Sequence, residues 1–130
     1  LRLIGQAWVY RVGNSVVRVE NAFAWIGWAQ ERLIVNDEAV TSAQGWFGLS
    51  RSFEEDWLTP LGEGVLRVRL VARMMGIDCI VKLDDQPIEP EALEQAVWSG
   101  AKGEWPASET WAPAQERRWH ATPIPPNSRR

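Results

Sequence analysis

Residues able to do covalent or metal chemistry are scarce in this chain of 130: it has one Cys, Cys79, and one His, His120. A nucleophilic Cys needs an activated thiolate with a base beside it, and His120 is the only imidazole available for that role. Cys79, however, stands in phase with Val81 and Leu83, which is the setting of a small buried core residue. His120 lies between Trp119 and Ala121 in a Pro-rich stretch, a poor platform for general-base geometry, and is expected to be exposed or stacking. One His and one Cys cannot supply a zinc site with nitrogen and sulfur ligands, and a single Cys makes no internal disulfide. The densest acidic run is Glu54-Glu55-Asp56. Paired carboxylates divide acid and base roles when their surroundings separate their pKa values, and they also hold calcium. This spacing matches no calcium loop, so the run reads as a solvated edge before Trp57-Leu58-Thr59-Pro60. Asp37-Glu38 and Asp84-Asp85 fall at hairpin turns, where Asp has a conformational task. The expectation is a protein that is not an enzyme, with no catalytic residue, cofactor or metal.

The nine tryptophans carry more signal. Trp25-Ile26-Gly27-Trp28 puts two indoles around a bend between strands. Folded inward, they plug the open end of a sandwich; left outside, they make a low-entropy contact surface for a protein or a sugar ring. Trp46-Phe47 is expected on the inner face with Trp8 and Trp57. Trp98, Trp105, Trp111 and Trp119 follow at spacings of 7, 6 and 8 residues. Glu104-Trp105-Pro106 and Thr110-Trp111-Ala112-Pro113 read as extended, Pro-stiffened segments bearing aromatic anchors. Indoles of this kind are costly to leave in water, so the tail should dock on its own sandwich, on a partner, or on a second copy as a homodimer. The candidate binding residues are Trp25, Trp28, Trp105, Trp111 and Trp119.

Charge narrows the partners. Fourteen basic residues against seventeen acidic give −3, and the only arginine doublets are Arg117-Arg118 and Arg129-Arg130. That balance argues against nucleic acid, which needs clustered cations. No stretch is apolar for 18 residues, so no membrane span is expected, and Leu1–Gly5 lacks the pattern of a secretory signal. The expectation is a cytoplasmic protein that binds a protein partner. A carbohydrate-like ligand on exposed indoles is the alternative, and an acidic inhibitor or immunity-type protein is a further one.

These side chains need elements to hold them. Composition changes near residue 89: residues 1–88 contain five of the nine Trp and all three Phe, whereas residues 89–130 contain six of the eight Pro. Before that point apolar residues alternate with polar ones, as in Val17-Arg18-Val19-Glu20 and Leu66-Arg67-Val68-Arg69-Leu70, the signature of strands with one buried face. Gly13-Asn14, Asn36-Asp37, Gly62-Glu63-Gly64 and Asp84-Asp85 punctuate these runs and suit hairpin turns. The fold expected is an all-β, eight-stranded antiparallel sandwich over 1–88. Residues 89–130 are expected to add a short helix from Pro90 to Trp98, ended by Gly100, and then an extended tail.

The first part also repeats. Val16-Val17-Arg18-Val19 lies over Val65-Leu66-Arg67-Val68, and Gly27 falls opposite Gly76. One residue is then lost, and Leu33–Val40 lies over Val81–Ile88, which sets Cys79 where the first copy has Glu31. Two similar sheets, each too small to hide its apolar face alone, are expected to stack face to face.

The order Trp8-Val9-Tyr10, Gly13-Asn14, Val16–Asn21, Gly27, Arg32–Glu38, Gly45-Trp46-Phe47-Gly48-Leu49 and Phe53 resembles the Fas apoptosis inhibitory molecule family. Val65–Ile88 is similar to that family's closing hairpin, and the resemblance covers roughly residues 6–88. It implies an eight-stranded antiparallel β-sandwich that is not an enzyme and acts through protein contacts.

Overall fold

A computed structural model describes residues 1–46, 54–62, 64–73 and 76–114, the side chains of 54–56, 72, 73 and 76 excepted. The alternating runs form strands β1 (Arg2–Val12), β2 (Ser15–Ala24), β3 (Trp28–Val35), β4 (Glu38–Trp46), β5 (Glu54–Leu61), β6 (Gly64–Arg73), β7 (Gly76–Leu83) and β8 (Gln86–Ile88). Two more strands follow, β9 (Ala92–Ser99) and β10 (Ala112–Pro113), in the stretch expected to be a helix and a tail, so the described residues form ten strands, eight of them within 1–88. They make two antiparallel sheets, one in the order β10-β9-β1-β2-β3-β4 and one in the order β5-β6-β7-β8.

The core lies between the sheets. Trp8, Tyr10, Val12, Val17, Val19 and Leu33 of the larger sheet cluster with Leu66, Val68, Leu70 and Val81 of the smaller, and Trp57, Cys79 and Leu83 pack against them. Period-two alternation places each of these on the face turned toward the other sheet. Each large side chain fully buried there contributes about 1.5–3 kcal/mol, enough to make register a sharp choice.

The repeat is real and longer than the sequence pattern suggested. Trp8 pairs with Val19 as Trp57 pairs with Val68, and Val17 pairs with Val35 as Leu66 pairs with Leu83. Each half is therefore a four-stranded meander, and Trp8-Val9 and Gly13 have counterparts in Trp57-Leu58 and Gly62. One detail is corrected. Ala24 closes on Trp28 while Arg73 closes on Gly76, so the lost residue falls inside the bend and Gly76 matches Trp28, not Gly27.

The expected helix over Pro90–Trp98 is also corrected: residues 92–99 form β9, which pairs antiparallel with β1 from Arg2↔Ser99 to Val9↔Ala92. Leu93, Val97 and Trp98 fit a helical stripe, but Leu93-Gln95-Val97 and Glu94-Ala96-Trp98 fit the two faces of a strand equally well. The open edge of β1 decided between them, because a strand there satisfies a row of backbone groups that a helix would leave bare.

Candidate interaction surface

The β2–β3 bend is built by Gly27. Its N–H donates to the Ala24 carbonyl at 2.9 Å, and its φ of 105° is one that L side chains rarely adopt. This turn separates the two indoles of the Trp25–Trp28 motif. Trp25 is 83% exposed at the tip beside Ile26 at 62%, whereas Trp28 is buried at 6%. Trp25 meets Phe23 edge to face, with ring centroids 5.2 Å apart at 86°, so the tip is braced by a neighbouring aromatic ring.

Trp28 points to the outer face of the larger sheet, the face turned away from the core. There Trp28 Nε1 donates to Gln30 Oε1 at 2.8 Å, and the ring meets Trp46 edge to face at 5.4 Å. Trp46, expected on the inner face with Trp8, is thus on the outer face and 51% exposed, because β4 pairs Trp46 with Trp28. Phe47 lies outside the described residues.

The chain's own C-terminal segment covers this outer face. Gln30, buried, accepts the Gly103 N–H at 2.9 Å and donates Nε2 to the Glu104 carbonyl at 2.7 Å. Trp98 stands between Trp105 and Trp111, with centroids 6.0 and 5.9 Å away. Arg32 lies over Trp105 at 4.5 Å, Arg18 over Trp111 at 5.3 Å, and the Lys102 ammonium over Trp46 at 4.6 Å. Glu20 ties the cations together: its carboxylate accepts from Arg32 Nε at 2.6 Å and from Arg18 Nε at 2.9 Å. Arg18 also donates to Glu94 at 2.7 Å. Burial pulls the Arg18 guanidinium down, but its bonds to Glu94 and Glu20 outweigh this and leave it above its ordinary range.

Small residues beneath make the docking close. A Cβ on Gly5 would meet Trp98 at 2.6 Å and Trp111 at 3.0 Å, and Ala22 and Ala24 line the same patch. Trp105 and Trp111, candidate contact residues for a partner, therefore sit half-buried on their own sheet. Trp119 and His120 lie outside the described residues.

Cys79 and the turn residues take structural places. The Cys79 sulfur is 3.5 Å from the Tyr10 hydroxyl, and burial pushes its thiol up to about 12 despite that hydrogen bond. A thiol so shifted is protonated at neutral pH, which is unsuited to nucleophilic attack. Asn36, Asp37, Asp84 and Asp85 all have positive φ, the requirement of the tight hairpin turn that joins right-twisted strands. Glu54, Glu55 and Asp56 lie on β5. Among the described residues no group of three or more His, Cys, Asp or Glu is placed to hold a metal ion, and no helix is long and apolar enough to cross a membrane.

Sequence reasoning missed a polar row on the inner face. Gln6, Asn21 and Glu31 pair side by side across β1, β2 and β3, all buried, and Asn21 donates to Glu31 at 3.3 Å. The equivalent positions of the second half include Leu70 and Cys79. The repeat alignment had already set Glu31 against Cys79, and that mismatch was the available signal. Comparison of the chain with family models, curated proteins and solved structures found no match.

Proposed function

We propose that the protein is a non-catalytic interaction module that engages a protein partner through the Trp25–Ile26 tip. The observation carrying this reading is the pairing of 83% exposure at Trp25 with the Phe23 ring that braces it. A large side chain held in place before binding loses little conformational freedom on contact, which is why Trp dominates recognition hot spots. Trp105 and Trp111 leave this role because they are occupied on the outer face, and Trp28 leaves it because it is buried. Their task is to fix the sheet that presents the tip. The resemblance to the Fas apoptosis inhibitory molecule family accords with a role in protein contacts. One free thiol kept protonated suits a reducing compartment such as the cytoplasm.

The test is affinity capture from native lysate with the full chain and with a Trp25→Ala, Ile26→Ser variant. A partner held by the parent and lost by a variant with unchanged far-UV circular dichroism is expected. Equal capture by both proteins would remove the reading.

A further inference from the structure

Lys102 is an exposed residue in the turn that leads from β9 into the docked segment, yet its ammonium is not turned to a carboxylate. Among the described residues it makes no ion pair. It lies instead over two indoles, 4.6 Å from the Trp46 ring centroid and 5.6 Å from that of Trp28. Both distances fall within the roughly 6 Å over which a ring quadrupole attracts a cation. The rings stand at 74° to each other with centroids 5.4 Å apart, so one positive group reaches both of them at once.

This corner is held in place by bonds that do not involve the ammonium. Gln30 accepts from Trp28 Nε1 at 2.8 Å and from the Gly103 N–H at 2.9 Å, and it donates to the Glu104 carbonyl at 2.7 Å. One buried side chain thus fixes both the inner ring and the loop that carries Lys102. Gly103 has a φ of 87°, and a Cβ there would meet Gln44 Oε1 at 2.9 Å, so the loop also lies close against β4. Trp46, 51% exposed, is the wall that opens to solvent.

The lysine is not the cation that suits this corner best. A primary ammonium has N–H groups that give up water for a π face and gain no acceptor there. A trimethylammonium group carries the same charge without N–H groups, and its methyls bury apolar surface against the indoles. We infer that the Trp28–Trp46 corner is a binding site for a trimethylammonium group, and that Lys102 fills it in cis until such a group displaces it. The group is borne either by a methylated lysine of a partner protein or by a small molecule. Trp25 and Ile26 take no part in the corner, so this inference and the reading of the tip fail separately.

The test titrates the full chain and its Lys102→Gln and Trp46→Ala variants with choline and with a short peptide containing trimethyllysine. The tert-butyl analogue of choline, with carbon in place of the charged nitrogen, is the control, and the readout is the Trp28 indole N–H resonance. A saturable shift is expected, about fivefold tighter in Lys102→Gln, which has lost the competing cation, and about fivefold or more weaker in Trp46→Ala. Tighter binding of the peptide than of choline assigns the group to a partner protein, and equal binding assigns it to a small cation; each supports the site. Should Trp46→Ala lose its fold, the gain in Lys102→Gln over the parent decides. Lys102→Gln without a saturable shift or no tighter than the parent, equal binding of the uncharged analogue, or undiminished binding by a folded Trp46→Ala would overturn the inference.

Discussion

Asn36 and Asp84 hold the same post in the two halves of the molecule. Asn36 Oδ1 accepts the Val16 N–H at 2.9 Å, and the Asn36 N–H donates to the Val16 carbonyl at 2.9 Å. Asp84 makes the same two bonds with Val65, each also at 2.9 Å. The φ values are 51° and 47°, and the residue that follows each has a φ of 69°. A short side chain with an acceptor at δ1 serves both needs, since it tolerates the left-handed backbone and reaches the neighbouring strand.

It follows that the two residues are interchangeable. Asn36→Asp and Asp84→Asn should each change stability by less than about 0.5 kcal/mol, as both keep the acceptor. Asn36→Ala and Asp84→Ala should each cost about 1–2 kcal/mol in urea unfolding, from a lost hydrogen bond and a Cβ at positive φ. A clear difference between the two alanine variants would contradict the equivalence.

Gly5 is where the tail meets the sheet. Gly5→Val puts carbon where the Trp98 and Trp111 rings lie, at 2.6 and 3.0 Å from the first added atom. Indole rings have no soft end to swing aside, so the segment that carries them must lift. A loss of about 1–3 kcal/mol is expected, together with a red shift in tryptophan emission as the indoles meet water.

Glu20 is 1% exposed beneath Arg18 and Arg32. Glu20→Gln keeps the shape but removes the charge, leaving a neutral amide where Arg18 and Arg32 shared a carboxylate, with only Arg18 keeping a second carboxylate, Glu94. The expected cost is about 3 kcal/mol, the lower end for a broken buried pair, because both arginines retain some access to water. Unfolding in urea at low and high salt checks it: the wild type should lose stability with salt more steeply than the variant.

The Cys79 and Tyr10 pair makes the fold sensitive to alkali. The folded thiol keeps its proton up to about 12, while the unfolded thiol releases it near 9.0. Above that lower value the unfolded chain binds fewer protons than the native one, so stability falls as pH rises toward the upper value. Burial beside Cys79 also raises the Tyr10 hydroxyl, which acts in the same direction. Urea midpoints taken between these two values should decline steadily, and Cys79→Ala should lose the part of the decline that starts at the thiol. Native Cys79 should resist alkylation at neutral pH until the chain is denatured.

Trp25→Ala should leave the urea midpoint within about 0.5 kcal/mol of the parent, whereas Trp8→Ala should cost about 3–5 kcal/mol. Both are tryptophans beside strand residues, yet Trp8 is 0% and Trp25 83% exposed. A large loss of stability for Trp25→Ala would mean that the tip is structural.

Much of the architecture was written in local pattern. Period-two alternation at Val17–Glu20 and Leu66–Leu70 identified strands, and the acidic and Asn-Asp pairs identified hairpins, because both signals depend on a few adjacent residues. The repeat followed from the same alternation, and it set Cys79 against Glu31 correctly. The site was less visible. The Trp25–Trp28 motif was evident as a pair of indoles around a bend, but which indole stayed in water depended on the turn geometry at Gly27.

What local pattern could not settle lay where two structures satisfied the same residues. Ala92–Ser99 suits a helix or a strand, and the free edge of β1 across the molecule made it a strand. Trp46 suits either face of β4, and the register with β3 put it beside Trp28. Trp105 and Trp111 suit a partner or their own sheet, and Gly5, Ala22 and Ala24, brought together from two strands, made the room that keeps them at home. Hydrophobic period and turn chemistry are properties of neighbours in the chain. Edges, faces and docking room arise from residues far apart in it, so they come into being only with the folded sheet.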